Sequence, residues 1–358
     1  MKRILPLLLV LTLGATAFGC KGKSKDDDKN PGDPANPGGE QPGANEPGAP
    51  TAEDRTTNPI EGIEPPTAIL EAGAFTDGPA WHAGKGVLYF STPLGDGALF
   101  HMLPDGRVLK DRDGVSAQGT QPIGNTVNAA GELVTVEAKR VVRQAAEGGN
   151  LDVIAINYSN APAPAPAPGD AGAPASGDGQ FDTLNDVVAR KDGTLYVTDP
   201  GYFATPTANR IYRIDPAGKV QVVEAFDSIP RPNGIALSPD EKTLYVGFTA
   251  PLAGTLPFVR KYIVNEDGTL GEWTKFVDVG PENSEPDGLA VDKVGNVYVA
   301  TKAGVEVYKP DGNPWGTVPI PEKPTGLAFG GEDLKTLYIT TGGEKIWQLK
   351  TKLAGIAQ

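Results

Sequence analysis

The sequence contains very little cysteine and histidine, with one Cys and two His among 358 residues. One Cys cannot form an intrachain disulfide or a cysteine-rich zinc site, and two His cannot supply a three-histidine zinc centre. Basic residues are also in deficit, because 32 Lys and Arg face 45 Asp and Glu and the net charge is −13. A chain this acidic lacks the basic stripe that nucleic-acid binding requires. We therefore expect no nucleic-acid partner, and oxygen ligands for any metal.

Long hydrophobic runs are absent except at the start of the chain. Lys2 and Arg3 precede an apolar run over residues 4–10, and small residues follow it. This pattern is typical of a secretory signal, predicted over residues 1–19, whose apolar part is too short to span a bilayer comfortably. The protein is therefore predicted to be exported.

The single cysteine closes this signal. Residues 17–20, AFGC, resemble a bacterial lipobox, in which the cysteine is diacylated and becomes the mature N-terminus. Cys20 is therefore predicted to carry a lipid that anchors the protein to a membrane of the bacterial cell envelope. The alternative is an ordinary cleaved signal with an incidental cysteine and a secreted product, which Ala17 in place of the usual Leu favours.

Large apolar side chains are nearly missing from two further stretches. Residues 20–66 cannot bury enough hydrophobic surface to offset the entropy of ordering, so they are predicted to form a disordered tether. Residues 161–179, APAPAPAPGDAGAPASGDG, alternate Ala and Pro and are predicted to be a disordered insertion. The chain over residues 67–355 is otherwise long enough for one large domain with a substantial core.

Helical periodicity is nearly absent from that domain, and a strand–turn–strand pattern recurs there instead. Its six copies are DGPAWHAGKGVLYF from Asp77, PIGNTVNAAGELVTV from Pro122, NDVVARKDGTLYV from Asn185, PNGIALSPDEKTLYV from Pro232, PDGLAVDKVGNVYV from Pro286 and PTGLAFGGEDLKTLYI from Pro324. Each copy flanks a hairpin-type turn with alternating apolar residues, and further strand-like runs follow most copies. Six such units predict an all-β, six-bladed β-propeller. A β-sandwich is the alternative, although sandwiches seldom show such regular self-similarity.

Polar residues open the first strand of most copies, and in a propeller that strand lines the central channel. The openers are Asp77, Ile123 or, in a register shifted by two, Asn125, then Asn185, Asn233, Asp287 and Thr325. Converging carboxylate and amide oxygens are costly to bury without a cation. Asp77, Asn185, Asn233 and Asp287 are therefore predicted to hold one divalent cation, with Ca²⁺ favoured over Mg²⁺, Mn²⁺ or Zn²⁺. The alternative is that these residues only form turns, since Asn-Gly and Asp-Gly are common turn dipeptides.

Other polar residues of the copies are interpreted as structural. Asp186 and Asp199 are expected to stabilise turns or loops, and His82 and His101 to pack or lie at the surface. No nucleophile pattern accompanies them, so a Ser-His-Asp mechanism is not supported.

The stretch from about residue 65 to residue 353 resembles the senescence-marker-protein/gluconolactonase/luciferin-regenerating family of six-bladed propellers. The motifs that carry this resemblance are DGPAWHAGKGVLYFST, LNDVVARKDGTLYVTDPGYF, RPNGIALSPDEKTLYV and EPDGLAVDKVGNVYVATKAGVEVYKPDG. The resemblance implies one catalytic divalent cation, usually Ca²⁺, and hydrolysis of lactones or related esters. It also implies that Asp77, Asn233 and Asp287 bind the metal and that Asn185 lies beside the metal or on the substrate.

Three positions depart from the family pattern. Asp77 stands where the family normally has Glu, and its shorter side chain is expected to weaken metal binding. Thr183, a predicted substrate-binding position, stands where sugar-lactone-hydrolysing relatives often have an Arg that contacts substrate. Residues 137–140, EAKR, replace a His that many bacterial relatives carry.

These observations favour a monomeric, exported lipoprotein that hydrolyses lactones or related esters with a divalent metal. In this hypothesis the cation stabilises charge on the substrate carbonyl, and Asp287 activates water or passes a proton to the leaving oxygen. The alternative is a non-enzymatic, lipid-tethered propeller that binds a ligand or a protein partner, with or without structural calcium. Thr183, Asp77 and the altered second copy favour that alternative.

Overall fold

A computed structural model of the chain describes residues 47–146, 148–158, 179–202, 209–227, 230–249, 256–280 and 285–356. The predicted signal, Cys20 and residues 20–46 of the predicted tether lie outside the described residues, as does the insertion up to residue 178. In the part of the chain that the structure describes, no helix is long and apolar enough to cross a membrane.

The alternating apolar residues form strands, and the only helices among the described residues are two 3₁₀ turns, Asp54–Thr56 and Ser116–Gln118. The strands are β1 (Thr67–Glu71), β2 (Asp77–His82), β3 (Val87–Thr92), β4 (Ala98–Met102), β5 (Val108–Asp113), β6 (Pro122–Val127), β7 (Leu133–Glu137), β8 (Arg140–Gln144), β9 (Leu151–Ala155), β10 (Asn157–Tyr158), β11 (Gly179–Gln180), β12 (Val187–Ala189), β13 (Leu195–Asp199), β14 (Asn209–Ile214), β15 (Val220–Phe226), β16 (Pro232–Leu237), β17 (Thr243–Phe248), β18 (Phe258–Val264), β19 (Leu270–Asp278), β20 (Leu289–Val291), β21 (Val297–Thr301), β22 (Gly304–Tyr308), β23 (Pro314–Val318), β24 (Pro324–Gly330), β25 (Thr336–Thr341) and β26 (Lys345–Lys350).

Six four-stranded antiparallel sheets form the blades of a β-propeller, which confirms the predicted fold class. Blades 1 to 5 are the consecutive meanders β2–β5, β6–β9, β12–β15, β16–β19 and β20–β23. Blade 6 contains β24, β25 and β26, and β1 pairs antiparallel with β26 as its outer strand. The strand that precedes blade 1 in sequence thus completes blade 6, so the first and last parts of the ring hold each other. A short hairpin of β10 and β11 flanks the predicted insertion.

The core lies between the faces of neighbouring blades. Val136 and Val141 of blade 2 pack in one cluster with Val197 and Tyr212 of blade 3. A similar cluster joins blades 5 and 6, where aromatic side chains meet edge to face. Burial of each large apolar side chain stabilises the fold by about 1.5–3 kcal/mol. The well-packed blades therefore hold the inner strands in fixed positions around the axis.

Residues 47–66 correct the predicted extent of the tether, because they pack on the propeller. Ile60 and Ile63 contact the apolar cluster of blades 5 and 6. The Pro59 carbonyl accepts a hydrogen bond from the Lys352 N–H, 3.0 Å away. In the sequence, the two isoleucines are the only apolar signal for this packing, and they lie in a stretch rich in Pro, Gly and charged residues. That signal was too weak to predict an ordered segment.

Glycines let the inner strands approach one another at the end where they begin. Five inner strands carry Gly directly after the opening residue, at positions 78, 124, 234, 288 and 326. A Cβ on Gly234 would lie 2.0 Å from the Asp287 carbonyl oxygen, and Gly78 has a left-handed φ of +53°. Only glycine satisfies both the spacing and the conformation at such positions. This close approach draws the opening residues together around the axis.

Candidate metal and substrate site

A small cavity lies on the axis at the end where the inner strands begin. Its volume is about 30 Å³, which is enough space for one ion or about one or two waters. The four predicted ligands all belong to its lining: Asp77, Asn185, Asn233 and Asp287. Asn125, Asp186 and Thr325 also line it, so Asn125 and not Ile123 represents blade 2 there.

The two asparagines among the predicted ligands are held differently. The Asn233 Nδ2 donates a hydrogen bond to the Tyr202 hydroxyl, 2.9 Å away. Because this bond occupies the amide nitrogen, the carbonyl oxygen of the Asn233 side chain remains for another partner. The Asn185 backbone N–H donates to the Thr198 carbonyl at 2.9 Å. No hydrogen bond joins the Asn185 side chain to any residue that the structure describes.

The two predicted carboxylate ligands are also incompletely satisfied. Asp77 accepts one hydrogen bond through Oδ1, from the Gly78 N–H at 2.8 Å. Asp287 is only 8% exposed, and its Oδ2 lies 3.5 Å from the Lys323 ammonium. Each carboxylate therefore retains an oxygen that no described donor engages. These free oxygens face the small cavity and are available to a cation or water.

Electrostatics in the cavity favour a bound positive charge. Burial, together with the charge of Asp77, raises the pKa of Asp287 to about 8, and Lys323 opposes this change. Burial likewise raises the pKa of Asp77 to about 7, with a contribution from Asp186. Carboxylates that repel one another in a small buried space ionise readily only when a cation compensates them.

Asp186 is a third cavity carboxylate, and the sequence interpretation captured only part of its role. Its Oδ1 accepts from the Val187 N–H at 2.9 Å, and its Oδ2 accepts from the Ile235 N–H at 3.1 Å. The second bond links blade 3 to blade 4, so the structural role is real. Asp186 also stands where five other blades have glycine, and burial raises its pKa to about 7. The break in the glycine pattern was the sequence signal for this residue.

Asp199 has the loop-stabilising role expected from the sequence, and it determines the position of Thr183. Asp199 is fully buried and accepts hydrogen bonds from the Asp182 and Thr183 N–H groups at 2.8 and 2.7 Å. Thr183 is 2% exposed and does not line the cavity. Its hydroxyl contacts no hydrogen-bonding partner within the described ranges. The substrate contact predicted for Thr183 stays a prediction. It would require the buried threonine to become exposed.

The two histidines of blade 1 make structural contacts, one of them with blade 2. His82 is buried, and its Nε2 lies 3.0 Å from the Gly131 carbonyl. The His101 Nδ1 lies 2.8 Å from the Asp111 Oδ2. Both residues lie outside the lining of the axial cavity.

The stretch that replaces the family histidine forms a buried ion-pair cluster. Glu137 is fully buried and pairs with Arg140 and with Arg112, the latter at 3.3 Å. These side chains therefore pair at the junction of blades 1 and 2, although one Arg112 nitrogen is buried without a partner among the described residues. None of them lines the axial cavity.

Two residues that the sequence did not single out lie next to the predicted ligands. The Tyr202 hydroxyl contacts Asn233 as described above and lies 3.3 Å from the Thr249 hydroxyl. Lys323 contacts Asp287 and also pairs with Glu285 at 3.1 Å. Tyr202 lies within the DPGYF part of a motif already noted, whereas nothing in the repeat pattern distinguishes Lys323.

The donor set fits a hard divalent cation. The described residues contain no cluster of three His, Cys, Asp or Glu side chains suited to a metal. The predicted set instead mixes two carboxylates with two amides, whose neutral oxygens lower the repulsion among ligands. Oxygen-only ligands of mixed charge are typical of Ca²⁺ sites.

Residues 75–343 match the family model described as "SMP-30/Gluconolactonase/LRE-like region". A gluconolactonase from Zymomonas mobilis is 30% identical over 192 residues, which are 49% of this chain and 52% of that protein. The chain thus spans about half the length of this curated relative. Among solved structures, a gluconolactonase from Xanthomonas campestris has a TM-score of 0.67 at 24% identity, covering 86% of this chain and 95% of that one. A calcium-binding regucalcin from Agrobacterium tumefaciens has a TM-score of 0.65 at 19% identity, covering 83% and 98%.

Proposed function

Because the chain belongs to the SMP-30/gluconolactonase/LRE-like family, we propose that it hydrolyses lactones or related esters with the help of one divalent cation. The observation that carries this proposal is the axial cavity, where two carboxylates and two amides retain oxygens for a cation. Asp77, Asn185, Asn233 and Asp287 would hold that ion, and Ca²⁺ is favoured by the donor chemistry. The bound cation would supply Lewis-acid stabilisation of the charge that develops on the substrate carbonyl oxygen.

Asp287 is the residue we propose for proton transfer. Its carboxylate takes a proton from the attacking water while the water oxygen bonds to the carbonyl carbon. The ring C–O bond then breaks, and the same proton moves to the leaving oxygen. One water is consumed and a hydroxy acid is released. A carboxylate within reach of the attacking water can both accept the proton and return it to the leaving oxygen.

Lys323 and the asparagines have supporting roles in this proposal. Lys323 contacts one oxygen of Asp287 and leaves the other directed elsewhere, so it restrains the carboxylate without occupying it. Asn185, which has no described hydrogen-bond partner for its side chain, is available to substrate or ion. These contacts hold the reacting groups in place, which is a large part of catalysis in such sites.

A binding propeller remains the second candidate, and Thr183 is the observation that favours it. Its position has no arginine, and the threonine is buried and outside the lining of the cavity. We also propose that the protein is exported and anchored through a lipid on Cys20, which the N-terminal sequence supports.

The test is hydrolysis of a panel of lactones and aryl esters by the purified protein, with EDTA and after addition of Ca²⁺ or Mn²⁺. We expect turnover that EDTA abolishes and metal restores, and that Asp287→Asn removes. Asp105→Asn, the same change at an exposed turn, is the matched control. Metal binding without turnover of any substrate would instead support the binding propeller.

A further inference from the structure

An arginine is connected to the predicted metal site through the ring of Tyr202. The guanidinium of Arg231 lies 5.3 Å from the centre of the Tyr202 ring. The hydroxyl of that ring contacts the Asn233 side chain at 2.9 Å. The guanidinium is therefore separated from a predicted metal ligand by a single aromatic ring.

Arg231 differs from the other cations near the cavity because it has no carboxylate partner among the described residues. Lys323 and Lys302 both pair with Glu285, at 3.1 and 2.7 Å. In contrast, no ion pair involves Arg231 in the described part of the chain, although it is partly buried.

Stacking leaves the hydrogen-bonding edge of the guanidinium available. An arginine that lies over an aromatic face still has its N–H groups directed outward in the plane of the guanidinium. That planar fork matches the two oxygens of a carboxylate and binds them through two parallel hydrogen bonds. A partly buried guanidinium without an ion-pair partner is thus a receptor for a carboxylate of a bound molecule.

The repeat register shows that this arginine is specific to blade 4. Arg231 lies two residues before Asn233, and Thr183 lies two residues before Asn185. The equivalent residue of blade 3 is thus a buried threonine, while that of blade 4 is a partly buried cation. Blade 6 also has a cation at this position, Lys323, but that side chain pairs with Glu285 and Asp287.

We propose that Arg231, held on the Tyr202 ring, determines specificity by binding a free carboxylate of the substrate. The preferred substrates would then be lactones that carry a second, unesterified carboxylate. Asp77, Asp186 and Asp287 repel such an anion, so the guanidinium contact matters more than it would beside a neutral cavity. This inference rests on the proposed lactone hydrolysis for its substrate class, but the arginine contact can be tested without turnover.

The turnover test compares two lactones of the same ring size, glucaro-γ-lactone with a free carboxylate and glucono-γ-lactone without one. We expect the wild type to have the higher kcat/KM for glucaro-γ-lactone. Arg231→Gln should lower the ratio of the two kcat/KM values about 10- to 100-fold, the range for losing hydrogen bonds to a charged group. Arg231→Lys should restore part of the ratio. Arg107→Gln, at an exposed arginine paired with Asp105, should leave it within about twofold.

The binding test uses glucarate and the uncharged glucitol as probes in calorimetric titrations at one fixed Ca²⁺ concentration. We expect Arg231→Gln to weaken glucarate binding at least about tenfold. Thermal unfolding of each variant checks that it is folded. Glucarate binding that does not depend on Arg231, or an equal loss for both lactones, would overturn the inference. Arg231-dependent glucarate binding without hydrolysis of any lactone would retain the carboxylate site and reject the hydrolase.

Discussion

The substitution Asp287→Asn should have opposite effects on stability in the absence and presence of metal. Burial raises the pKa of Asp287 from 3.8 to about 8, a rise of about 4 pH units. Each unit corresponds to about 1.36 kcal/mol, so the ionised side chain destabilises the metal-free fold by at most about 6 kcal/mol. Rearrangement and water entry reduce this cost, and we expect about 1–3 kcal/mol at pH 8.

The direction of the pH dependence follows from the raised pKa. A folded state that holds its proton more tightly than the unfolded chain is most stable below pH 4, and it loses stability as the pH rises towards 8. In EDTA at pH 8, Asp287→Asn should therefore unfold about 2–8 °C above the wild type. At pH 4.5 the difference should shrink to under about 1 °C.

Calcium should reverse the order of the two proteins. At a concentration of 1,000 times Kd, binding stabilises the wild type by about 4.1 kcal/mol, and the variant lacks a ligand and gains less. The assay is thermal unfolding followed by circular dichroism at both pH values, with EDTA or Ca²⁺. The exposed substitution Asp105→Asn should show no such reversal. Equal unfolding temperatures for wild type and Asp287→Asn at pH 8 in EDTA would refute the reasoning.

Three further substitutions test how the site is held. Tyr202→Phe keeps the ring but removes the hydroxyl that accepts a hydrogen bond from Asn233. Ca²⁺ affinity measured by calorimetry should therefore fall about 5- to 10-fold, while the unfolding temperature changes little. An unchanged affinity would contradict this role. Asp186→Ala removes two backbone contacts and should cost about 1–3 kcal/mol in urea unfolding, which a neutral result would exclude. Gly234→Ala places a methyl group against the Asp287 carbonyl and should destabilise by more than about 2 kcal/mol, whereas a stable, metal-binding variant would show that the strands can separate.

The fold was largely predictable because its pattern is short-range and repeated. Period-2 apolar residues around a turn define each hairpin, and six copies specify blades. The pairing of β1 with β26 joins residues far apart in sequence, and TAILE alone carries no sign of its partner. Residues 47–66 were assigned to the tether for a similar reason, since their two apolar contacts depend on a surface that only the folded propeller provides.

The site residues that follow the repeat register could be predicted from the sequence. Those that depart from the register could not. Asp77, Asn185, Asn233 and Asp287 occupy equivalent positions, so symmetry alone brings them to one cavity. Asp186 and Lys323 each occur in a single blade, and their relation to the cavity depends on how neighbouring blades meet. Tyr202 reaches Asn233 from a loop, and loop paths do not follow from strand periodicity.

The most direct test of the central claim is the initial rate of lactone hydrolysis as Ca²⁺ is added back to the metal-free protein. The rate is followed by pH-stat, because each turnover releases an acid. The account predicts no rate in EDTA, a rise that saturates at one Ca²⁺ bound per chain, and no rise for Asp287→Asn. A full rate in EDTA, or a full rate in Asp287→Asn, would contradict it.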